Sequence, residues 1–144
     1  MASVSTYLNF PGNTEEAFVF YKSVFKTEFN NNIQRFGDLP TNPSQPPMED
    51  HVKQMILHIE LPILDGHILM GTDAPKEMGF NLTQGNNMHI QLAPNTKEEA
   101  NQIFNDLSVG GVITMPLQDM FWGAYFGSCT DKFGINWMIN FYNK

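Results

Sequence analysis

The stretch Pro116–Tyr142, PLQDMFWGAYFGSCTDKFGINWMINFY, holds both tryptophans of the chain within a run of phenylalanines, tyrosines and glycines. Gly123, Gly127 and Gly134 punctuate two short apolar runs, Ala124–Thr130 and Ile135–Tyr142, and Asp131-Lys132-Phe133-Gly134 between them has the composition of a hairpin turn. This predicts two antiparallel strands. In the second, Ile135, Trp137, Ile139 and Phe141 alternate with Asn136, Met138, Asn140 and Tyr142. One face is therefore apolar, and the other mixes amides, a thioether and a phenol. That second face suits the wall of a semi-polar cavity, because ligand sites join apolar walls to a few convergent polar groups.

Working backwards, Gly110-Gly111 follows a predicted helix over Lys97–Leu107 and leads into a strand at Val112–Pro116. Thr96 is the expected helix cap, with Glu99 closing its capping box. A strand at Met88–Ala93, broken by Pro94-Asn95, precedes it. The same order opens the chain. A strand at Val4–Phe10 ends in Pro11-Gly12-Asn13, and a helix begins at Thr14 with Asn13 as cap and Glu16 reaching back. Ala17, Phe18, Tyr21, Val24 and Phe25 give this helix one apolar face. A strand over Glu28–Phe36 follows, then a proline-rich loop over Gly37–Asp50, then strands Lys53–Leu64 and His67–Thr72 joined at Asp65-Gly66, a hairpin signal. Asp73–Asn87 reads as loop.

The two starts overlay. Leu8-Asn9-Phe10 matches Ile90-Gln91-Leu92, Asn13-x-x-Glu16-Ala17 matches Thr96-x-x-Glu99-Ala100, and the last strands match as His67–Gly71 on Ile135–Ile139. The chain is a tandem repeat of strand, helix and three strands. We expect an α+β fold in a single domain, 1–144, built of βαβββ modules at about 1–75 and 86–144 with a linker at 76–85. The modules should form a curved, barrel-like mixed sheet with helices outside, leaving the opposite faces as a shared trough.

Composition narrows the function. A formal charge of −7, a pI near 4.9 and only eight Lys and Arg, none clustered, argue against a nucleic-acid surface. The apolar runs fall far short of the ~20 residues of a bilayer-crossing helix. Cys129 is single and no secretory signal pattern opens the chain, so a reducing, cytoplasmic setting is expected. No Ser-His-Asp elbow, phosphate-binding glycine loop or zinc-spaced Cys/His pair appears.

The groups able to carry chemistry are His58, Glu60 and His89. His58 and Glu60 alternate on one strand face, as an acid–base pair or as an ordinary exposed edge pair. His89 opens a strand and shares a face with Gln91, as a trough-facing base or a hydrogen-bonded core histidine. Tyr7, Asn9, Met70, Gln91, Gln118, Trp122, Tyr125, Met138 and Asn140 are the candidate ligand-binding lining. Phe121-Trp122 and Tyr125-Phe126 suit either stacking on a planar ligand or core packing. Trp137 reads as core, Cys129 as structural, Asp131 as a turn residue bonding backbone, and His51 and His67 as solvent or turn residues.

Tyr7-Leu8-x-Phe10-x-Gly12-Asn13-x-x-Glu16-Ala17-x-x-Phe20-Tyr21, His58-x-Glu60-Leu61 with Leu69-Met70-x-x-Asp73, and Met115-Pro116-Leu117-Gln118-Asp119-x-Phe121-Trp122 through Thr130-Asp131-x-Phe133-Gly134-x-x-Trp137-Met138-Ile139-Asn140 cover most of the chain. Together they resemble the PhnB-like branch of the vicinal oxygen chelate superfamily, which includes glyoxalase I, bleomycin-resistance proteins and extradiol dioxygenases. Such domains have also carried a demethylubiquinone methyltransferase-like label. No Gly-rich loop after the first strand, in a doubly wound setting, supports a nucleotide cofactor here.

The resemblance implies a divalent metal held by the first and last strands of each repeat. Those strands offer Tyr7 (or Ser5), Met70, His89 and Met138, and a methionine at each carboxylate position removes the anionic oxygen such an ion wants. No metal or other cofactor is therefore expected; were one bound, His89 and Glu60 would be its ligands. The expected function is binding of a small organic molecule in the trough. The alternatives are a metal-dependent lyase, isomerase or dioxygenase, and a non-catalytic dimeric scaffold. No nucleic-acid or membrane partner is expected. A homodimer is, because the proline-rich loop and open sheet edges want a cover.

Overall fold

The computed structural model describes residues 1–30 and 33–142. Chain contacts divide it into two units, Met1–Leu82 and Thr83–Lys144. Each unit has its own four-stranded mixed sheet.

In the first unit the elements are β1 (Thr6–Phe10), α1 (Thr14–Phe25), β2 (Gln34–Arg35), the single turn α2 (Asp50–Lys53), β3 (Ile56–Pro62) and β4 (Ile68–Asp73). The sheet order is β1-β4-β3-β2, with β1 parallel to β4 and the other pairs antiparallel. β3 and β4 meet at Asp65-Gly66, where φ is 52° and 74°. Two successive left-handed residues make the mirror-image turn whose twist matches flanking antiparallel strands, which is why Asp-Gly marks it.

α1 buries Ala17, Phe18, Tyr21, Val24 and Phe25, the face its spacing predicts. Phe18 lies directly over Gly71 of β4, where any Cβ would come within 2.5 Å of its ring. Glycine thus sets the depth at which the helix docks, and each fully buried aromatic contributes roughly 1.5–3 kcal/mol.

The cap of α1 departs from expectation. The Asn13 side chain makes no capping bond. Instead Asp73, buried at the end of β4, accepts from the Thr14 N–H at 3.0 Å and the Thr14 hydroxyl at 2.6 Å. Its other oxygen accepts from the Ile56 N–H at 2.8 Å. A charged acceptor already desolvated beside the helix start outcompetes a local amide.

The strand expected over Glu28–Phe36 shrinks to Gln34–Arg35; residues 31–32 of it lie outside the described residues. The Arg35 N–H turns to the Asp38 carboxylate at 2.8 Å, and its guanidinium grips Glu15 of α1 at 3.0 and 2.8 Å. Phe36–Asp38 then forms a 3₁₀ turn instead of continuing the strand.

The second unit contains β5 (Ile90–Leu92), α3 (Lys97–Ser108), β6 (Val112–Asp119), β7 (Ala124–Thr130) and β8 (Asn136–Tyr142), in sheet order β5-β8-β7-β6. β5 runs parallel to β8. Thr96 caps α3 as expected, accepting from the Glu99 N–H at 3.0 Å, while the Glu99 carboxylate reaches one residue further back, to Asn95 N–H at 2.9 Å. β6 runs three residues past the predicted end at Pro116. A proline is tolerated there because β6 is an edge strand, with a register shift between Met115 and Gln118 that spans it. Trp137 and Ile139 are fully buried. Asp131, also buried, accepts from the N–H groups of Phe133 and Ile135 and from the Trp137 indole at 2.9 Å. Among the described residues no helix is long and apolar enough to cross a membrane.

Asp73→Ala is expected to cost on the order of 3 kcal/mol in urea unfolding, because buried donors lose a charged acceptor. Glu16→Ala should cost less than about 0.5 kcal/mol. Similar losses for both would return the cap to Asn13 and Glu16.

Candidate functional site

Strand register decides which side chains share a face. In the first unit Tyr7 stands opposite Met70, Asn9 opposite Thr72, and Glu60 opposite Met70 from the other side. By alternation His58 joins them, on the face away from α1. Leu69, Gly71, Ile59 and Leu61 occupy the helix-facing side and are buried. The predicted residues Tyr7, Asn9, His58, Glu60 and Met70 therefore fall on one face.

Within that group His58 Nε2 lies 2.8 Å from Glu60 Oε2, with side chains 31% and 20% exposed. In the neutral ring this contact suits a proton on Nε2, donated to the carboxylate. Nδ1 has no hydrogen-bond partner among the described residues, and in that neutral tautomer it presents a lone pair. The Tyr7 ring lies 5.9 Å from the imidazole, tilted by 36°. A half-buried base oriented by a carboxylate and walled by a phenol ring and a thioether can accept a proton or a hydrogen bond from a bound molecule.

In the second unit Met138 stands opposite Gln91 and Ser128, and Asn140 opposite Phe126. Overlaying the repeats puts Met138 beside His89; the observed register is two residues along. His89 is exposed and precedes β5. The Asn136 amide explains the slip, because it donates to the carbonyls of Gly85 and Met88 at 2.9 and 3.2 Å and pins the approach to the strand. Gln118 is exposed on the β6 edge, and Trp122 sits at the β6–β7 turn, edge-on to Phe121 and Phe126. Tyr125 turns to the helix side, donating to Asn101 Oδ1 of α3 at 2.6 Å with Lys97 over its ring. Gln91, Met138 and Asn140 are thus brought onto one sheet face, and Tyr125 is not. A polar cleft of about 380 Å³ is lined by Gln84, Gly85, Asn86, Thr130, Gly134 and Asn136. Two of its amides serve structure, Gln84 donating to the Phe133 carbonyl and Asn136 to Gly85.

Sequence reasoning missed one cluster. Glu49, His51 and Glu77 bring their ligand atoms within 4.8 Å of one another, all exposed. His51 meets Glu77 at 2.8 Å and Glu49 at 3.3 Å through its two ring nitrogens. The hydrogen bond to Glu77, aided by both carboxylate charges, raises its pKa. No local pattern joins residues so far apart in sequence. His67, also read as a turn residue, lies 2.9 Å from the Thr6 hydroxyl.

Residues 2–140 match the family model described as 3-demethylubiquinone-9 3-methyltransferase. The chain belongs to this family. Protein YjdN of Escherichia coli K12 is 32% identical over 95% of this chain and 93% of its own. Among solved structures, protein PA1353 of Pseudomonas aeruginosa is 31% identical over 100% of both chains, with a TM-score of 0.82. A PhnB protein of Bacillus cereus is 28% identical over 97% of this chain and 99% of its own, with a TM-score of 0.72. The chain is thus PhnB-like, and its fold is that of a glyoxalase/bleomycin resistance/dioxygenase family protein from Burkholderia phytofirmans.

The metal that some superfamily members use is a poor fit to the strand positions of this PhnB-like chain. The register sets Tyr7 beside Met70 and Gln91 beside Met138. A phenol, an amide and two thioethers supply neither the imidazole nor the carboxylate that a borderline cation prefers.

Two predictions test these environments. His51 should titrate above its ordinary value of 6.5 by NMR, and Glu77→Gln should bring it back most of the way. The imidazolium bridge is therefore complete below that value and is lost as pH rises through the shifted one; a wild-type midpoint at or below 6.5 would remove the bridge. Cys129 is buried, and burial with the nearby Asp131 charge pushes its thiol up. It should resist a thiol-reactive dye until the protein unfolds, and rapid labelling of the native chain would contradict that burial.

Proposed function

We propose that this PhnB-like chain binds a small organic molecule on the face of the first sheet opposite α1. The observation that carries the reading is the His58–Glu60 contact of 2.8 Å, half-buried and flanked by Tyr7 and Met70. Holding an imidazole and a carboxylate half-buried there costs desolvation, and the Nδ1 edge of the ring faces whatever occupies the face. His58 and Glu60 are the groups to orient the ligand or take its proton, with Tyr7 and Met70 as its walls.

The reading does not include methyl transfer. Pro11-Gly12-Asn13 follows β1, with no glycine-rich loop to cradle a nucleotide-bearing cofactor. It does include a homodimer in the cytoplasm, supported by the exposed apolar residues Val112, Ile113 and Met115 on the β6 edge and by the reduced, buried Cys129. Sedimentation equilibrium reports the assembly state.

A fragment screen read by thermal shift, run on wild type and on Tyr7→Ala and His58→Ala, tests the site. Compounds that stabilise the wild type should lose most of their effect in both variants, equivalent to about tenfold or more in affinity. If every stabilising compound acts equally on all three proteins, the ligand face lies elsewhere.

A further inference from the structure

The polar groups on the outer face of the first sheet differ in what they can tell apart. Strand register sets Tyr7, Asn9, Glu60 and Met70 there, and His58 with them, opposite Gln34 of β2. The Tyr7 hydroxyl and the Asn9 and Gln34 amides can each donate or accept a hydrogen bond, so they hold a ligand of either sense without choosing. His58 is different. Its Nε2 lies 2.8 Å from Glu60 Oε2, and an ionised carboxylate only accepts, so the neutral ring keeps its proton on Nε2. Nδ1 is then an acceptor alone. It has no hydrogen-bond partner among the described residues, and the side chain is 31% exposed, open enough to meet a ligand.

A bound molecule that covers this edge of the ring displaces the water there. One that brings an N–H or O–H satisfies Nδ1. One that brings an ether or carbonyl oxygen sets lone pair against lone pair and leaves Nδ1 unpaired, which costs affinity. The surroundings select the body that carries the donor. The Tyr7 ring is 49% exposed and stands 5.9 Å from the imidazole, tilted by 36°. Met70 lies opposite Tyr7, and a thioether packs well on aromatic rings. Together they make a wall for a flat, apolar body.

We infer that the molecule held on this face is a planar aromatic with a hydrogen-bond donor at its edge, an azole N–H or phenol O–H in class, donated to His58 Nδ1 with its ring against Tyr7. This rests on the first sheet's outer face being the ligand site. Glu60 acts through His58, as the positioning residue that keeps the ring proton on Nε2. The selection is for the sense of a hydrogen bond and does not depend on the ligand's charge.

Indole and benzofuran test the assignment, because they share size and shape, are both uncharged, and differ in one ring position, an N–H against an oxygen. Each is titrated at about pH 8.5, above the ordinary histidine range, into ¹⁵N-labelled protein, and the amide shifts around Tyr7, His58 and Met70 are followed. Indole should bind about tenfold more tightly than benzofuran. The imidazole ¹⁵N signals of His58 should show the proton on Nε2, and indole should move the Nδ1 signal. His58→Phe keeps a ring in the wall and removes the acceptor, and should bring indole to within about twofold of benzofuran. Glu60→Gln puts an amide there that can donate to Nε2 or accept from it, so the tautomer is no longer held. The indole preference should fall below about threefold, with benzofuran itself changed by less than about twofold. Equal binding of the two compounds on this face, a full preference that survives either substitution, or a proton on Nδ1 in the wild type would overturn the donor assignment and leave the ligand face intact. Shifts from neither compound around Tyr7, His58 and Met70 would overturn the assignment and the site reading together.

Discussion

The first module depends on where one carboxylate sits. Asp73 ends β4, is 3% exposed, and takes its hydrogen bonds from the first turn of α1 and from the first residue of β3. It thus joins the last strand, the helix and the neighbouring strand at one point in a region from which water is excluded, where an unpaired donor would be costly. Asp131 has the comparable part in the second module, at a different place in the repeat. It closes the β7–β8 turn and fixes the indole of Trp137, the largest buried side chain there. Both acids serve structure; the other carboxylate of the first module's sheet, Glu60, stands beside His58.

The faces opposite the helices have been treated differently in the two modules. In the first, a hydrogen-bonded imidazole and carboxylate lie beside a phenol and a thioether. In the second, the corresponding face carries Gln91, Met138, Ser128 and Asn140, amides, a thioether and a hydroxyl with no charge among them. The two repeats are similar platforms, and the first carries the titratable groups. That asymmetry is why the functional reading rests on the first module.

Much of this was legible in the sequence. Asp65-Gly66 identified its turn because only that backbone twist suits the strands on either side, and the alternation through Ile135–Tyr142 separated core from face because side chains on a strand alternate. Alternation also put His58 and Glu60 together, two residues apart on one strand. The failures have a common physical origin. The Asn13 cap was displaced by Asp73, which is distant in sequence; the second strand was cut short by Arg35 reaching to α1; and His89 was moved away from Met138 by the Asn136 amide holding the preceding loop. In each case a contact between remote segments outweighed a local preference worth about 1 kcal/mol.

The sequence by itself determined the repeat, the fold class, the core tryptophan and the shared strand face of His58 and Glu60, because all of these follow from periodicity and neighbouring positions. Only the tertiary structure decided strand register, the partner of each buried carboxylate, the Glu49–His51–Glu77 cluster and the turning of Tyr125 towards α3. These depend on which distant groups meet, and a chain read in order carries no measure of that distance.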